Sequence, residues 1–193
     1  MVPARPLDGL LVLDFSRVLA GPFCSMILGD LGARVIKVEP LGLGDDTRQY
    51  GPFIGQDSGY FMSINRNKES IALNLKAPKG LEVALKLAER ADILVENYRP
   101  GTMNRLGLGY EALSQRNPKL VYASVSGFGQ DGPWKDKPAY DIIVQGQSGM
   151  MSITGHPGGP RPRIGISIGD IAAGLYSTIG IVSALHERQA SGK

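Results

Sequence analysis

Leu10-Leu-Val-Leu-Asp-Phe15, then Ala20-Gly-Pro-Phe-Cys-Ser-Met-Ile-Leu-Gly-Asp-Leu-Gly32, then Arg34-Val-Ile-Lys-Val-Glu39: these three segments, in that order, decide the fold. The first is a short apolar run of the kind that makes a buried strand. Ala20-Gly21-Pro22 breaks it, and Pro22 suits the first turn of a helix, where its missing N–H costs nothing. Phe23, Met26, Ile27 and Leu31 recur at helical spacing, and Gly32 closes the element as a C-terminal glycine does. Arg34–Glu39 is the next strand. Strands joined through a helix in so short a stretch pair in parallel.

The pattern repeats outward from there. Ser70–Leu75 reads as extended, and Pro78–Arg90 as helical with Leu81, Ala84, Leu85 and Ala88 on one face. Ile93–Glu96 is a strand, Tyr110–Arg116 a short helix, and Leu120–Ser126 a strand rich in β-branched and aromatic residues. Gly127–Pro138 is a loop holding the only tryptophan, Trp134; Tyr140–Ile153 reads as a helix or broken helix; Gly155–Arg163 is a loop. Gly165-Ile-Ser-Ile-Gly169 alternates, and a helix runs from Ile171 to about Arg188. Alternating elements of this length predict an α/β fold, an open parallel, Rossmann-like sheet with helices on both faces.

Bulk properties narrow the function. With 193 residues the chain can build one substantial core. A net charge of +3 with no Lys/Arg block argues against nucleic acid. One cysteine, Cys24, excludes an intramolecular disulfide framework and suits a reducing compartment. The N-terminus has no secretory pattern and no run reads as long enough to span a bilayer. The expectation is an intracellular protein, cytoplasmic or, in a eukaryote, mitochondrial. The turn Ser16-Arg-Val-Leu-Ala-Gly-Pro22 is neither a dinucleotide fingerprint nor a P-loop, so no permanently bound nucleotide cofactor is expected, although a phosphate-bearing ligand could still sit at this helix start. His156 and His186 lie thirty residues apart in unlike contexts, and no metal site is expected. Asp170, between the alternating run and the last helix, is either an N-cap or a reactive carboxylate, and the segment alone favours the cap.

A set of motifs adds to this reading: Asp14-Phe-Ser-Arg-Val-Leu-Ala-Gly-Pro-Phe-Cys24, Gly29-Asp-Leu-Gly-Ala-Arg-Val-Ile-Lys-Val-Glu39, Gly44-Asp-Asp-Thr-Arg48, Asn65-Arg-Asn-Lys68, Leu73-Asn-Leu-Lys76, Glu96-Asn-Tyr-Arg-Pro-Gly101, Ser126-Gly-Phe-Gly129, Ala139-Tyr-Asp141 and Gly169-Asp170. In this order and spacing they resemble the class III CoA-transferases, the family of formyl-CoA and carnitine CoA-transferases. The likeness is greatest to members that move CoA between dicarboxylic acids of the succinate and glutarate type. It implies that Asp170 is a nucleophile forming an aspartyl anhydride and an aspartyl-CoA thioester. It also implies that Tyr140 and Asp141 face the thioester and that Leu19 and Ala20 line the thiol end. Leu73, Asn74, Leu75, Lys76, Asn97, Tyr98 and Arg99 would hold nucleotide and pantetheine, with Arg105 a phosphate partner. Plain alternatives stay open at this point: a solvated charge for Arg105 and for Lys76, a helix cap for Asp141.

The resemblance further implies coenzyme A or an acyl-CoA and a small carboxylic acid as substrates, and a homodimer of interlocked subunits in the full-length proteins. Members of the family have about twice this many residues, so residues 1–193 correspond to the N-terminal part of a CoA-binding large domain. Three departures stand out. Leu19 replaces a Gln of the formyl/oxalyl enzymes, which argues against oxalate, and Pro40 and Pro138 replace an Arg and a Lys. Two other readings fit the scaffold. One is α-methylacyl-CoA racemisation, for which Tyr140 stands where racemases carry His. The other is a non-catalytic CoA-binding module.

Overall fold

The computed structural model describes residues 4–192. Its elements run β1 (Leu11–Asp14), α1 (Ala20–Asp30), β2 (Arg34–Glu39), a 3₁₀ turn (Asp46–Gln49), the hairpin β3 (Phe53–Ile54) and β4 (Asp57–Ser58), and α2 (Gly59–Ile64). Next come β5 (Lys68–Ala72), α3 (Pro78–Ala88), β6 (Ile93–Glu96), α4 (Thr102–Arg105), α5 (Tyr110–Arg116) and β7 (Val121–Ser124). The chain continues through α6 (Asp141–Gln147), a 3₁₀ turn (Met150–Ser152) and α7 (Ile168–Ser191).

Five strands form one all-parallel sheet in the order β5-β2-β1-β6-β7. The expected doubly wound α/β architecture is therefore present. Successive side chains of a strand point to opposite faces, and the core divides accordingly. Leu13 and Leu94 pack with Ala84, Ala88, Met103 and Leu113 beneath α3, α4 and α5. Val12, Ile93 and Val95 pack with Cys24, Leu28, Ile181 and Leu185 beneath α1 and α7.

Several boundaries differ from the expected ones. The strand expected at Ser70–Leu75 lies at Lys68–Ala72, so Leu73–Lys76 is loop. Tyr140–Ile153, expected as a helix or broken helix, takes the broken form, split between α6 and the 3₁₀ turn. The alternating run ending at Gly169 is not extended to its end, because α7 begins at Ile168 with Ser167 as its N-cap. Asp170 is therefore the third residue of α7, not its cap. The α7 helix also corrects the expectation that no segment reaches bilayer length, since it is long and apolar enough to meet that criterion by length and composition. Gly174, Thr178, Ile181 and Leu185 are its buried stripe, while Leu175, Tyr176, Ile179 and Val182 face outward.

A buried ionic network lies under the carboxyl edge of β1 and β2. Asp14 accepts from the Ser25 hydroxyl at 2.6 Å and from Lys68 Nζ at 3.2 Å, and also from Ser16. Glu39 takes both arms of the Arg48 guanidinium at 2.7 Å and the Ser70 hydroxyl at 2.6 Å. Burial alone would raise both carboxyls, but their cations and hydroxyl or amide donors outweigh it and hold each at about 2. The folded chain thus binds fewer protons than the unfolded one between about 2 and the ordinary 3.8 of Asp or 4.5 of Glu. Stability from these groups is complete above that window and is lost as pH falls through it. Thermal melts should fall steeply as pH drops from about 5 to about 2. An unchanged midpoint across that range would contradict the pairing.

Candidate active site

The chain leaves β1 in one direction toward β2 and β5, then returns to lay β6 and β7 on the other side. The strand order reverses between β1 and β6, and in open parallel sheets the crevice outside such a point is where ligands bind. Here a side-chain amide bridges the two sides of the crevice. Asn97, just past β6, accepts from Arg17 N at 2.8 Å and donates to Arg17 O at 2.7 Å. The β1–α1 loop is thereby fastened to the β6 end. Within that loop Val18 has φ of +65°. A β-branched residue in the left-handed region costs about 1–3 kcal/mol and persists only where its surroundings impose it.

Two cavities open along the carboxyl edge and share Tyr98 as a wall. The larger, about 660 Å³, is lined by Leu73, Asn74, Leu75, Lys76, Tyr98 and Arg105, together with Pro40 and Leu41. The loop carrying Asn74 lies tightly against α3: a Cβ on Gly80 would fall 2.1 Å from Asn74 O. Asn74 Oδ1 also accepts from Lys76 N at 3.0 Å, which turns the loop over the cavity. The smaller cavity, about 210 Å³, is lined by Leu19, Ala20, Asn97, Tyr98 and Arg99 on one side and Tyr140 and Asp170 on the other. The structure thus brings together every expected site residue except one.

The exception is Asp141, which lines neither cavity. Its Oδ1 accepts from Gly169 N at 2.7 Å and its Oδ2 from Gln145 Nε2 at 2.6 Å. Asp141 does cap a helix, but the helix is α7 rather than its own. Ser167 makes no side-chain cap bond, so this carboxylate on α6 satisfies a free N–H in the first turn of α7. Asp141 thereby fixes the turn that presents Asp170.

Asp170 itself is half-buried. Free N–H groups at the helix start favour its anion. Burial and, second, the charge of Asp141 act against them and raise its pKa. A carboxylate that is harder to ionise is also the more basic and more nucleophilic one once ionised. Tyr140 is 78% exposed and, as the N-cap of α6, makes no side-chain cap hydrogen bond. Tyr60 of α2 stands close enough for Asp170's charge to add to burial in raising its phenol.

Sequence reading missed Arg17, Val18, Tyr60, Lys135 and Lys137. Lys135 and Lys137 line the small cavity from the Gly127–Pro138 loop, and Lys137 Nζ sits 4.2 Å from the Trp134 ring centroid. A charged loop between Gly and Pro signals exposure, not convergence on a site. Both histidines are exposed, and no cluster of three or more His, Cys, Asp or Glu suited to a metal occurs among the described residues.

Comparison with known proteins places these features in a family setting. The sequence model of CoA-transferase family III matches residues 7–193. The chain is 54% identical over 192 residues to acetyl-CoA:oxalate CoA-transferase of Acetobacter aceti, covering 99% of this chain and 49% of that protein. It is 48% identical over 190 residues to succinyl-CoA:glutarate CoA-transferase of Homo sapiens, covering 98% and 43%. The crystal structure of a CAIB/BAIF family protein from Brucella suis superposes with a TM-score of 0.95 at 42% identity, covering 99% of this chain and 52% of that one. The chain spans about half the length of the curated relatives it matches. Relatives named for oxalate and for glutarate both match, so overall similarity does not separate the two acids and lends no support to the expectation against oxalate.

Proposed function

This chain belongs to CoA-transferase family III, and from that premise we propose that it carries the reacting carboxylate and the CoA-binding edge of an enzyme moving CoA from an acyl-CoA to a small dicarboxylic acid. The observation that carries the reading is the position of Asp170. It projects from the first turn of α7 into the cavity lined by Leu19 and Ala20, next to the cleft lined by Leu73–Lys76 and Arg105. The large cleft suits the nucleotide and pantetheine, and the small cavity suits the thioester. Arg105 and Lys76 supply cations for phosphate oxygens.

The chemistry follows from this pairing. An Asp170 oxygen attacks the thioester carbon, the C–S bond breaks, and CoA leaves as thiolate, giving an acyl–aspartyl anhydride. The thiolate attacks the Asp170 carbonyl of the anhydride and releases the donor acid, leaving an aspartyl-CoA thioester. An acceptor carboxylate attacks that thioester, expelling thiolate and forming a second anhydride. Thiolate attack on the acceptor carbonyl releases the new acyl-CoA and regenerates Asp170. The anhydride keeps the bond energy of the thioester in the site, so no external activation is needed. Relatives named for oxalate and glutarate support a dicarboxylic acceptor. The exposed apolar face of α7 suits burial between the subunits of a homodimer.

Trapping tests the covalent route. After incubation with succinyl-CoA and a hydroxylamine quench, peptide mass spectrometry should find a hydroxamate on the peptide carrying Asp170. An unmodified Asp170 peptide from protein that binds CoA would overturn the mechanism.

A further inference from the structure

The strained Val18 raises the question of what holds it. Its N–H donates to Asp45 Oδ1 at 3.3 Å. Asp45 is 2% exposed and comes from the segment after β2, far from Val18 in sequence. The same Oδ1 accepts from Thr47 N at 2.9 Å and Thr47 Oγ1 at 2.8 Å, while Oδ2 pairs with Lys37 Nζ at 2.8 Å. Lys37, 1% exposed, also donates to Ser16 O at 2.8 Å. One buried ion pair therefore grips the β1–α1 loop on both sides of Arg17, by the carbonyl before it and the N–H after it. Glu39 locks Asp45 in turn, accepting from Asp45 N at 2.8 Å.

The held conformation has a consequence at the site. Val18 packs in a small apolar cluster with Leu19, Ile64, Tyr60 and Ile171. Ile171 directly follows Asp170, and Val18 and Leu19 line the same cavity as Asp170. A glycine would adopt this φ freely, but it would leave that cluster unfilled. Valine gives the packing and requires the grip.

We propose that Asp45, through its pairing with Lys37, is a positioning residue: it holds Val18 in the left-handed conformation and so registers the thioester end of the cavity against Asp170. This rests on the reading of Asp170 as the acylated group. Asp45 lines neither the cavity of Asp170 nor the large cleft of Leu73–Lys76. Its hold on the cavity of Asp170 runs through the loop.

Asp45→Asn keeps an oxygen for the Val18 and Thr47 donors but discharges the pair with Lys37. Three readouts apply: amide exchange at Val18, the dissociation constant for CoA, and the rate of Asp170 acylation by succinyl-CoA in the hydroxylamine trap. Asp45→Asn should speed Val18 exchange and slow acylation about 100-fold, the scale of an ångström-sized misplacement, with CoA affinity changed less than about threefold. Adding Val18→Gly should restore at least about tenfold of the acylation rate, because glycine needs no grip to hold the loop. A purely structural Asp45 would lower the melting temperature and show no such rescue. If Asp45→Asn does not fold, Thr47→Val, which removes one hydroxyl from Asp45 Oδ1, should slow acylation by about tenfold. Unchanged acylation per folded molecule, or no rescue, overturns the proposal. Absence of acylation in the unsubstituted protein would instead strike the reading of Asp170, and unchanged Val18 exchange in Asp45→Asn would then still refute the grip by itself.

Discussion

Asp170→Ala is expected to lower CoA transfer by more than about 10⁴-fold, the scale seen when a covalent nucleophile is removed. CoA affinity should stay within about threefold of the original. The two halves of this expectation come from different parts of the molecule. Transfer needs a carboxylate in the small cavity, and none of the other lining residues there is acidic. Binding draws on the larger cleft, where Leu73–Lys76 and Arg105 lie. Shortening Asp170 removes no helix cap, because Gly169 N is held by Asp141 and Asp170 is not the N-cap. The fold should therefore survive, and the midpoint of thermal unfolding should not drop. Steady-state transfer from succinyl-CoA to glutarate or oxalate, alongside calorimetric titration with CoA, checks both. Retained transfer would remove Asp170 from the mechanism. Lost CoA binding would mean that the two cavities are one energetic unit.

The legible and illegible parts of the chain divide on whether the cause is local. β1, α1 and β2 could be read because buried parallel strands are apolar runs and the helix between them carries its own start and stop residues. Ile93–Glu96 and Tyr110–Arg116 fall where expected for the same reason. β5 slipped because it is an edge strand whose residues Lys68, Glu69 and Ser70 are polar. Glu69 pairs outward with Arg34, and Lys68 and Ser70 are consumed by Asp14 and Glu39. Only its pairing with β2 defines it. The start of α7 slipped because its cap comes from α6, 28 residues earlier. The site shows the same division. Asp170, Leu19 and Arg105 were singled out through resemblance, since no local pattern marks a reactive carboxylate. Val18 offered no signal at all, because its β-branch argues against the conformation it adopts.

The second large effect concerns how α7 is set against α1, and two glycines of the same helix should respond to alanine with opposite signs. At Gly174, one turn beyond Asp170, a Cβ would lie 2.8 Å from Ala20 O, 3.1 Å from Phe23 Cδ1 and 3.4 Å from Cys24 N. Two of those neighbours are backbone atoms of α1, which cannot rotate aside. At Gly180 a Cβ would meet nothing within 4 Å. Both sites lose the same entropy cost of glycine in a helix, worth about 1 kcal/mol in favour of alanine. Gly180→Ala should therefore stabilise by about 0.5–1 kcal/mol. Gly174→Ala should destabilise by about 1–3 kcal/mol, since overpacking against fixed backbone exceeds the helix gain. The larger consequence is chemical. Relief at Gly174 comes by moving α7 away from α1, and that carries Asp170 away from Leu19 and Ala20 at the other wall of the cavity. An ångström there should cost about 100-fold in Asp170 acylation, while Gly180→Ala leaves it unchanged. Denaturant unfolding and the trapping rate, measured on both variants, separate packing from position. Loss of stability at Gly174 without loss of acylation would show that the helix tilts about its first turn and keeps Asp170 in place.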